Sequence, residues 1–208
     1  MLIKFTGNLK TSPKKKRWQL EWLKRRRNLL LRTRKSIIPN YIQIKMTLTI
    51  KTSEIEDIPH IIALLREFAE YENLLDFVEI TEERLNIALF GEGKTAEAIV
   101  AFDGATAIGY AIFYPNFSTF RGQRGFYLED IYITKSHRKQ GVGEMMLKHI
   151  AKLAKSRGFE RIDFLVLDWN TPAVNFYKKL GAVRDEEERH FKFTDEAFQK
   201  LSMSEQPA

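Results

Sequence analysis

The sequence predicts a mixed α/β fold whose sheet is mostly antiparallel and carries helices on both faces. Three observations lead there. Glu97–Phe102 and Ala107–Tyr114 are apolar, β-rich runs separated by Asp103-Gly104, a strong hairpin signal. Gly125–Ile133, rich in β-branched and aromatic residues, feeds a glycine-bearing loop, after which Met145, Met146, Ile150, Leu153 and Ala154 recur at helical spacing. Arg161–Leu167 is near-continuously apolar through Phe164-Leu165-Val166-Leu167, as expected of a strand covered on both faces.

The remaining elements follow in order. Thr47–Thr52 alternates and reads as a first or edge strand. Ile58, Ile61, Ile62, Leu65, Phe68 and Ala69 mark one face of a helix ending near Tyr71-Glu72, with Pro59 in the first turn, where its missing N–H costs nothing. Thr81 caps a second helix reaching Leu89, and Glu82 and Glu83 complement its dipole. Pro115–Gly125 reads as a loop. Beyond the Arg161–Leu167 strand, Asn170 or Thr171 caps a helix with Pro172 at its first position, and Gly181 stops it. Glu188–Phe193 is expected as a last strand and Asp195–Leu201 as a terminal helix. The order β, α, α, hairpin, β, α, β, α, β excludes a doubly wound sheet.

Charge divides the chain unevenly. Residues 1–45 carry 14 Lys/Arg and one acidic residue, giving +13, whereas residues 46–208 carry 20 Lys/Arg and 26 Asp/Glu, giving −6. The body is therefore acidic and biased toward cationic ligands, and a nucleic-acid role argued from whole-chain charge does not apply to it. The expected organisation is a basic, disordered or dispensable extension over 1–45, a domain over 46–202 and a tail over 203–208. The extension suits a nuclear-import signal, an organelle presequence, a segment resting on RNA or anionic membrane, or nothing beyond a leader ahead of a functional start at Met46. Without cysteine there is no disulfide, thiolate nucleophile or cysteine-bound metal. His60, His149 and His190 show no metal-ligand spacing, and His137 reads as a solvent-facing loop residue rather than a base. No apolar run approaches the ~20 residues of a membrane span. A cytoplasmic location is the expectation, with nuclear or organellar targeting as the alternatives the basic segment offers.

Arg138-Lys139-Gln140-Gly141-Val142-Gly143 sits between strand and helix, where open N–H groups and the helix dipole favour an anion. Glycine lets that backbone approach a phosphate closely. The run is not a Walker loop, for it lacks the Gly-Lys-Ser/Thr ending. A dinucleotide fingerprint fails as well, because Met146 stands where the third glycine would be.

Three motifs occur in order: Tyr-Leu-Glu-Asp-Ile-Tyr-Ile (127–133), Arg-x-x-Gly-x-Gly (138–143) and Asn-x-Pro-Ala-Val-Asn-Phe-Tyr-Lys-Lys-Leu-Gly-Ala (170–182). Together they resemble the GNAT superfamily of acetyl-CoA-dependent N-acetyltransferases, over about residues 47–200. Within it the chain is most similar to the diamine acetyltransferases, that is, the spermidine/spermine enzyme and its thialysine-acetylating relatives. Ala69-Glu-Tyr-Glu72, Phe164-Leu-Val166 and Phe191-Lys-Phe193 share that likeness.

The resemblance implies a sheet splayed beside its central strand, with coenzyme A in the gap. Ile131, Tyr132 and Ile133 would line the pantetheine arm. Arg138 and the stretch Lys139, Gln140, Gly141, Val142, Gly143 and Glu144 would cradle the pyrophosphate, with Asn170 touching the cofactor from the next strand's end. Glu129 would anchor the amine and take its proton, and Tyr177 would protonate the leaving thiolate. Tyr71, Glu72, Asp130 and Phe164 complete the amine pocket by matching position, and a homodimer is implied. A base is needed because a primary amine of pKa ~10.4 costs about 4 kcal/mol to neutralise at pH 7.4. Tyrosine, of pKa ~10, keeps its proton at that pH. The implied reaction is direct acetyl transfer, through a tetrahedral intermediate, to a primary amine of a diamine, a polyamine or a thialysine- or lysine-like amino acid. The alternatives are lysine acetylation on peptides or proteins, and an idle fold carrying a nucleic-acid- or membrane-binding tail. Read from the residues alone, Glu129 and Asp130 are equally a solvated pair on a strand, and Tyr177 equally a packed helix side chain.

Overall fold

Five strands form one sheet in sequence order: β1 (Leu48–Thr52), β2 (Glu97–Asp103), β3 (Thr106–Ser118), β4 (Gln123–Ile133) and β5 (Arg161–Phe164). The first four pair antiparallel and β5 pairs parallel to β4. The computed structural model describes residues 47–187 and 189–203. Expectations for 1–45 and 204–208 lie outside the described residues.

Helices α1 (Ile58–Glu72) and α2 (Glu82–Phe90) cover one face of the sheet. Ile58, Ile61 and Leu64 of α1, with Leu85 and Leu89 of α2, pack into one cluster with Tyr110, Ile112 and Tyr132 of the sheet. Ile62, Leu65 and Phe68 join it half-buried, so the face read from the sequence is the one used. Thr81 caps α2 by accepting the Arg84 N–H at 3.2 Å. The opposite face carries α3 (Val142–Ser156), which buries the i, i+4 row Val142, Met146, Ile150 and Ala154. Met145, expected on that face, is exposed. Gly109 marks how closely this layer packs: an added Cβ would lie 2.7 Å from the Tyr132 carbonyl oxygen and 3.4 Å from Met146 Sδ. Helix α4 (Thr171–Lys179) and helix α5 (Asp195–Met203) complete the chain.

Three expectations need correction. The expected loop Pro115–Gly125 is mostly strand, since β3 runs on to Ser118 and β4 starts at Gln123. Pro115 is tolerated because β2 stops pairing at Phe113, which leaves that flank of β3 as an edge where no N–H is required. The strand expected over Arg161–Leu167 ends at Phe164. Of the expected last strand Glu188–Phe193, residues 189–193 are described and form none, with Phe191 88% and Phe193 66% exposed. An alternating pattern becomes a strand only where another strand pairs with it.

Strand β4 carries two irregularities. Its pairing with β5 covers only Gly125–Leu128, so from Glu129 onward β4 has no neighbour on that side and the sheet splays. At the same point the β3 register jumps from Ile112–Asp130 to Phe113–Leu128, leaving Glu129 unmatched as a β-bulge. Bulge and splay coincide at one residue.

Candidate active site

The bulge changes which side chains face α1. Before it, Phe126 packs on Phe113 and Phe159, away from the α1 cluster; after it, Tyr132 joins that cluster. Glu129 is exposed at the switch, and its Oε2 accepts from the Tyr114 hydroxyl at 3.3 Å. Asp130 turns inward, where its Oδ2 accepts from the Tyr110 hydroxyl at 3.4 Å. Burial, and then the charge of Glu129, push the Asp130 carboxyl up to about 6, and Glu72 at the end of α1 pushes the same way. Glu72 is itself raised by burial. Glu72, Glu129 and Asp130 therefore form one acidic cluster, a field that an ammonium ion would neutralise.

The titration of Asp130 has a defined sign. Its folded value of about 6 lies above the ordinary carboxylate value, so the folded state holds this proton more tightly than the unfolded state. The group's contribution is most favourable below pH ~4 and is lost as pH rises through about 6. Asp130→Asn should therefore raise the melting temperature at pH 8 while leaving it nearly unchanged at pH 4, and should weaken amine binding. Thermal unfolding across that range, with amine KM measured in parallel, checks both; a variant less stable at pH 8 contradicts the account.

The open flank of β4 is lined by backbone. The Thr134 N–H bonds to Ile108 O at 2.9 Å, so the even residues of this stretch face β3, and Ile131 and Ile133 direct their N–H and C=O groups into the gap. Arg138 Nε holds Ile133 O at 2.9 Å. Tyr132 lines the gap through main chain alone, since its hydroxyl donates to Glu67 Oε1 at 2.7 Å.

The expected anion loop is open. Lys139 and Gly141 adopt left-handed φ of 63° and 84°, and a Cβ on Gly141 would meet nothing within 4 Å. The first α3 amide to find a backbone acceptor is Met145, on Gly141 O at 3.0 Å. The N–H groups of Val142, Gly143 and Glu144 thus face outward at the helix start. Gly143 is small for another reason, because its missing Cβ would crowd Ile133 Cδ1 at 3.3 Å and Phe176 Cζ at 3.4 Å. Gln140 ties back to Ser136 O at 2.8 Å and Glu144 pairs with Lys148 at 2.7 Å. The Arg138 guanidinium lies over Tyr71 at 4.4 Å and Tyr132 at 5.2 Å, and Tyr71 in turn approaches Trp169 at 6.1 Å.

Helix α4 flanks the gap on its other side. Asn170, not Thr171, is its cap: the side-chain oxygen accepts the Ala173 N–H at 3.2 Å. Tyr177 packs its ring 4.4 Å from Phe164, the last residue of β5. Burial pushes its hydroxyl up to about 12, and no hydrogen bond to it occurs among the described residues. His137 belongs to the loop, bonded to Thr134 Oγ1 at 2.8 Å. No group of side chains suited to a metal occurs among the described residues.

The sequence-derived residues thus gather from five segments around one gap. Tyr110 and Tyr114 were missed, although their even spacing on β3 places them on one face beside the acidic pair.

The profile of the Acetyltransferase (GNAT) family matches residues 60–182. The chain belongs to that family. Among its relatives, the thialysine N-epsilon-acetyltransferase of Bos taurus is 39% identical over 157 residues, covering 70% of this chain and 92% of that one. An L-ornithine N5-acetyltransferase of Arabidopsis thaliana is 38% identical over 93 residues, 45% of this chain and 41% of its own length. Among solved structures, an integron cassette protein from V. cholerae superposes with a TM-score of 0.65 at 24% identity, covering 76% of this chain and 99% of that chain, which supports the fold alone. In this N-acetyltransferase the sheet parts beside Glu129.

Proposed function

We propose that this N-acetyltransferase moves the acetyl group of acetyl-CoA onto a terminal primary amine of a small cationic molecule: a diamine, a polyamine or a lysine-like amino acid. The observation that carries the reading is the placement of Glu129, with Asp130 and Glu72 beside it, at the residue where β4 and β5 part. Names of relatives acting on thialysine and L-ornithine support the same substrate size.

The chain fits the cosubstrate. Gly141 leaves the helix start open to a diphosphate, and the main chain of Ile131 and Ile133 faces the gap where an amide-bearing arm can pair as a strand would. Glu129 holds the ammonium and receives its proton, directly or through water, releasing the lone pair for attack. The Ile131 N–H faces the same space and suits the carbonyl oxygen as charge develops on it.

Tyr177 donates to the leaving sulfur. With its hydroxyl at about 12 against a thiol near 8.5, complete proton transfer to the thiolate is uphill by roughly 5 kcal/mol, so its contribution is a hydrogen bond to developing charge. Tyr177→Phe should lower kcat about 100-fold and leave KM for acetyl-CoA within roughly threefold. Steady-state kinetics in both substrates decide this, and a change confined to KM removes Tyr177 from the chemistry.

The function itself is tested by incubating the purified chain with acetyl-CoA and a panel of small amines, following thiol release and product mass. Turnover on at least one is expected; none above blank overturns the proposal.

A further inference from the structure

On a regular strand successive side chains point to opposite faces, so two adjacent carboxylates would be separated by the sheet. The bulge in β4 removes that separation. Glu129 and Asp130 both meet hydroxyls from one face of β3, those of Tyr114 and Tyr110, which flank the register jump. The two contacts mirror each other. Tyr110 stands opposite Tyr132 and reaches diagonally to Asp130, while Tyr114 stands opposite Tyr127 and reaches diagonally to Glu129. At 3.4 and 3.3 Å both are longer than the ~2.7–2.8 Å common for O–H···O bonds, so they orient the carboxylates without locking them.

Each tyrosine is itself held in place. Tyr110 is fully buried in the cluster beneath α1. Tyr114 is half-buried and stacks on the Tyr127 ring at 5.2 Å. The groups that face this pair of carboxylates come from three elements. Asp130 has Glu129 beside it, Tyr110 of β3 and Glu72 of α1 around it. Tyr110 also feels Glu72 and Tyr132, and Tyr114 feels Glu129 and Tyr127. These neighbours are carboxyls and phenols, and the tyrosine hydroxyls supply the donors.

We propose that Tyr114 and Tyr110 form a two-point clasp that sorts the bulge carboxylates: Tyr114 is a positioning residue that aims Glu129 at the amine, and Tyr110 draws Asp130 inward. This role rests on the acetyl-transfer reading, in which Glu129 takes the proton, and adds the group that aims it. An exposed glutamate otherwise samples several rotamers, and adjacent like charges on one face swing apart. A base contributes to rate only while it stays within hydrogen-bond reach of the proton it removes.

Tyr114→Phe keeps the ring and its stack on Tyr127 and removes only the hydroxyl. It should lower kcat/KM for the amine about tenfold while KM for acetyl-CoA stays within roughly threefold. In a Glu129→Gln background the same substitution should change kcat/KM by less than about twofold, because the hydroxyl acts through the carboxylate. An equal loss in both backgrounds, or a single variant within twofold of wild type, overturns the positioning role. A second readout needs no turnover. The Asp130 carboxyl stands at about 6, with the Glu129 charge raising it and the Tyr110 hydroxyl lowering it. Tyr114→Phe frees Glu129 to swing toward solvent, so the Asp130 titration should fall. Tyr110→Phe removes the donor to the Asp130 carboxylate, so the same titration should rise. Carboxyl NMR shifts followed across pH, with Asp130→Asn identifying the signal, measure both. Opposite signs support the clasp, whereas no movement, or movement in one direction, overturns it. Should Tyr110→Phe fail to fold, the fall in Tyr114→Phe decides alone. If no amine releases thiol, the transfer reading fails separately, and the Asp130 titration still decides the clasp.

Discussion

Glu129→Gln is expected to lower kcat/KM for the amine by about 10²–10³ with little change in melting temperature. Glutamine keeps the size of the side chain and an oxygen able to accept from Tyr114, so the bulge and its neighbours should persist. What disappears is the negative charge and the proton acceptor. An ion pair at ~4 Å contributes about 1 kcal/mol in water and about 4 kcal/mol near a protein surface, and a positioned base contributes 10²–10⁴ in rate. Glu129 is exposed, so its ion pair contributes toward the lower figure and the positioned base supplies most of the expected loss. Two further readouts separate this account from a structural defect. Activity of the variant should climb with pH as the free amine becomes neutral on its own, so the deficit shrinks toward pH 10. The Asp130 titration should also move down from about 6, because the Glu129 charge helps to hold it up. A variant within threefold of wild type at pH 7.5 would remove Glu129 from the reaction.

Gly141→Asp should raise KM for acetyl-CoA at least 100-fold while kcat at saturation stays within about threefold. Nothing lies within 4 Å of the added Cβ, so the substitution is not blocked by packing. Its φ of 84° imposes roughly 1–2 kcal/mol of strain, which Gly141→Ala would impose equally. The difference between the two variants therefore isolates charge. The aspartate carboxylate stands at the open amides of Val142, Gly143 and Glu144, where it competes for the same N–H groups and repels a diphosphate. A shift of 100-fold corresponds to about 2.7 kcal/mol, well within the interaction of like charges at this distance in a partly screened site. Rising salt should narrow the gap between the aspartate and alanine variants. Equal KM values for the two would show that no anion binds at this helix start.

The sequence was informative wherever a residue's neighbours along the chain set its environment. The α1 stripe, the Thr81 cap, the Asp103-Gly104 hairpin and the glycine at the start of α3 each stand in the structure where local periodicity and turn chemistry place them. Legibility failed where a pattern needed a partner to become structure. Alternation over Glu188–Phe193 reads as a strand, yet residues 189–193 pair with nothing among the described residues. Pro115 reads as a loop opener, yet it sits in a strand whose neighbour has already ended. Leu165-Val166-Leu167 continues an apolar run, but the ladder with β4 stops one residue earlier.

By itself the sequence determined the element order from β1 through α4, the acidic body and the family motifs, because period, charge and spacing are properties of the chain before it folds. Tertiary structure decided that Glu129 occupies a bulge, that Asp130 therefore turns in toward Tyr110, and that Asn116, Tyr127, Asp163 and Tyr177 share one cavity. Those facts depend on register between strands far apart in the chain. A slip of one residue exchanges the two faces of a strand, and only pairing across the sheet fixes it.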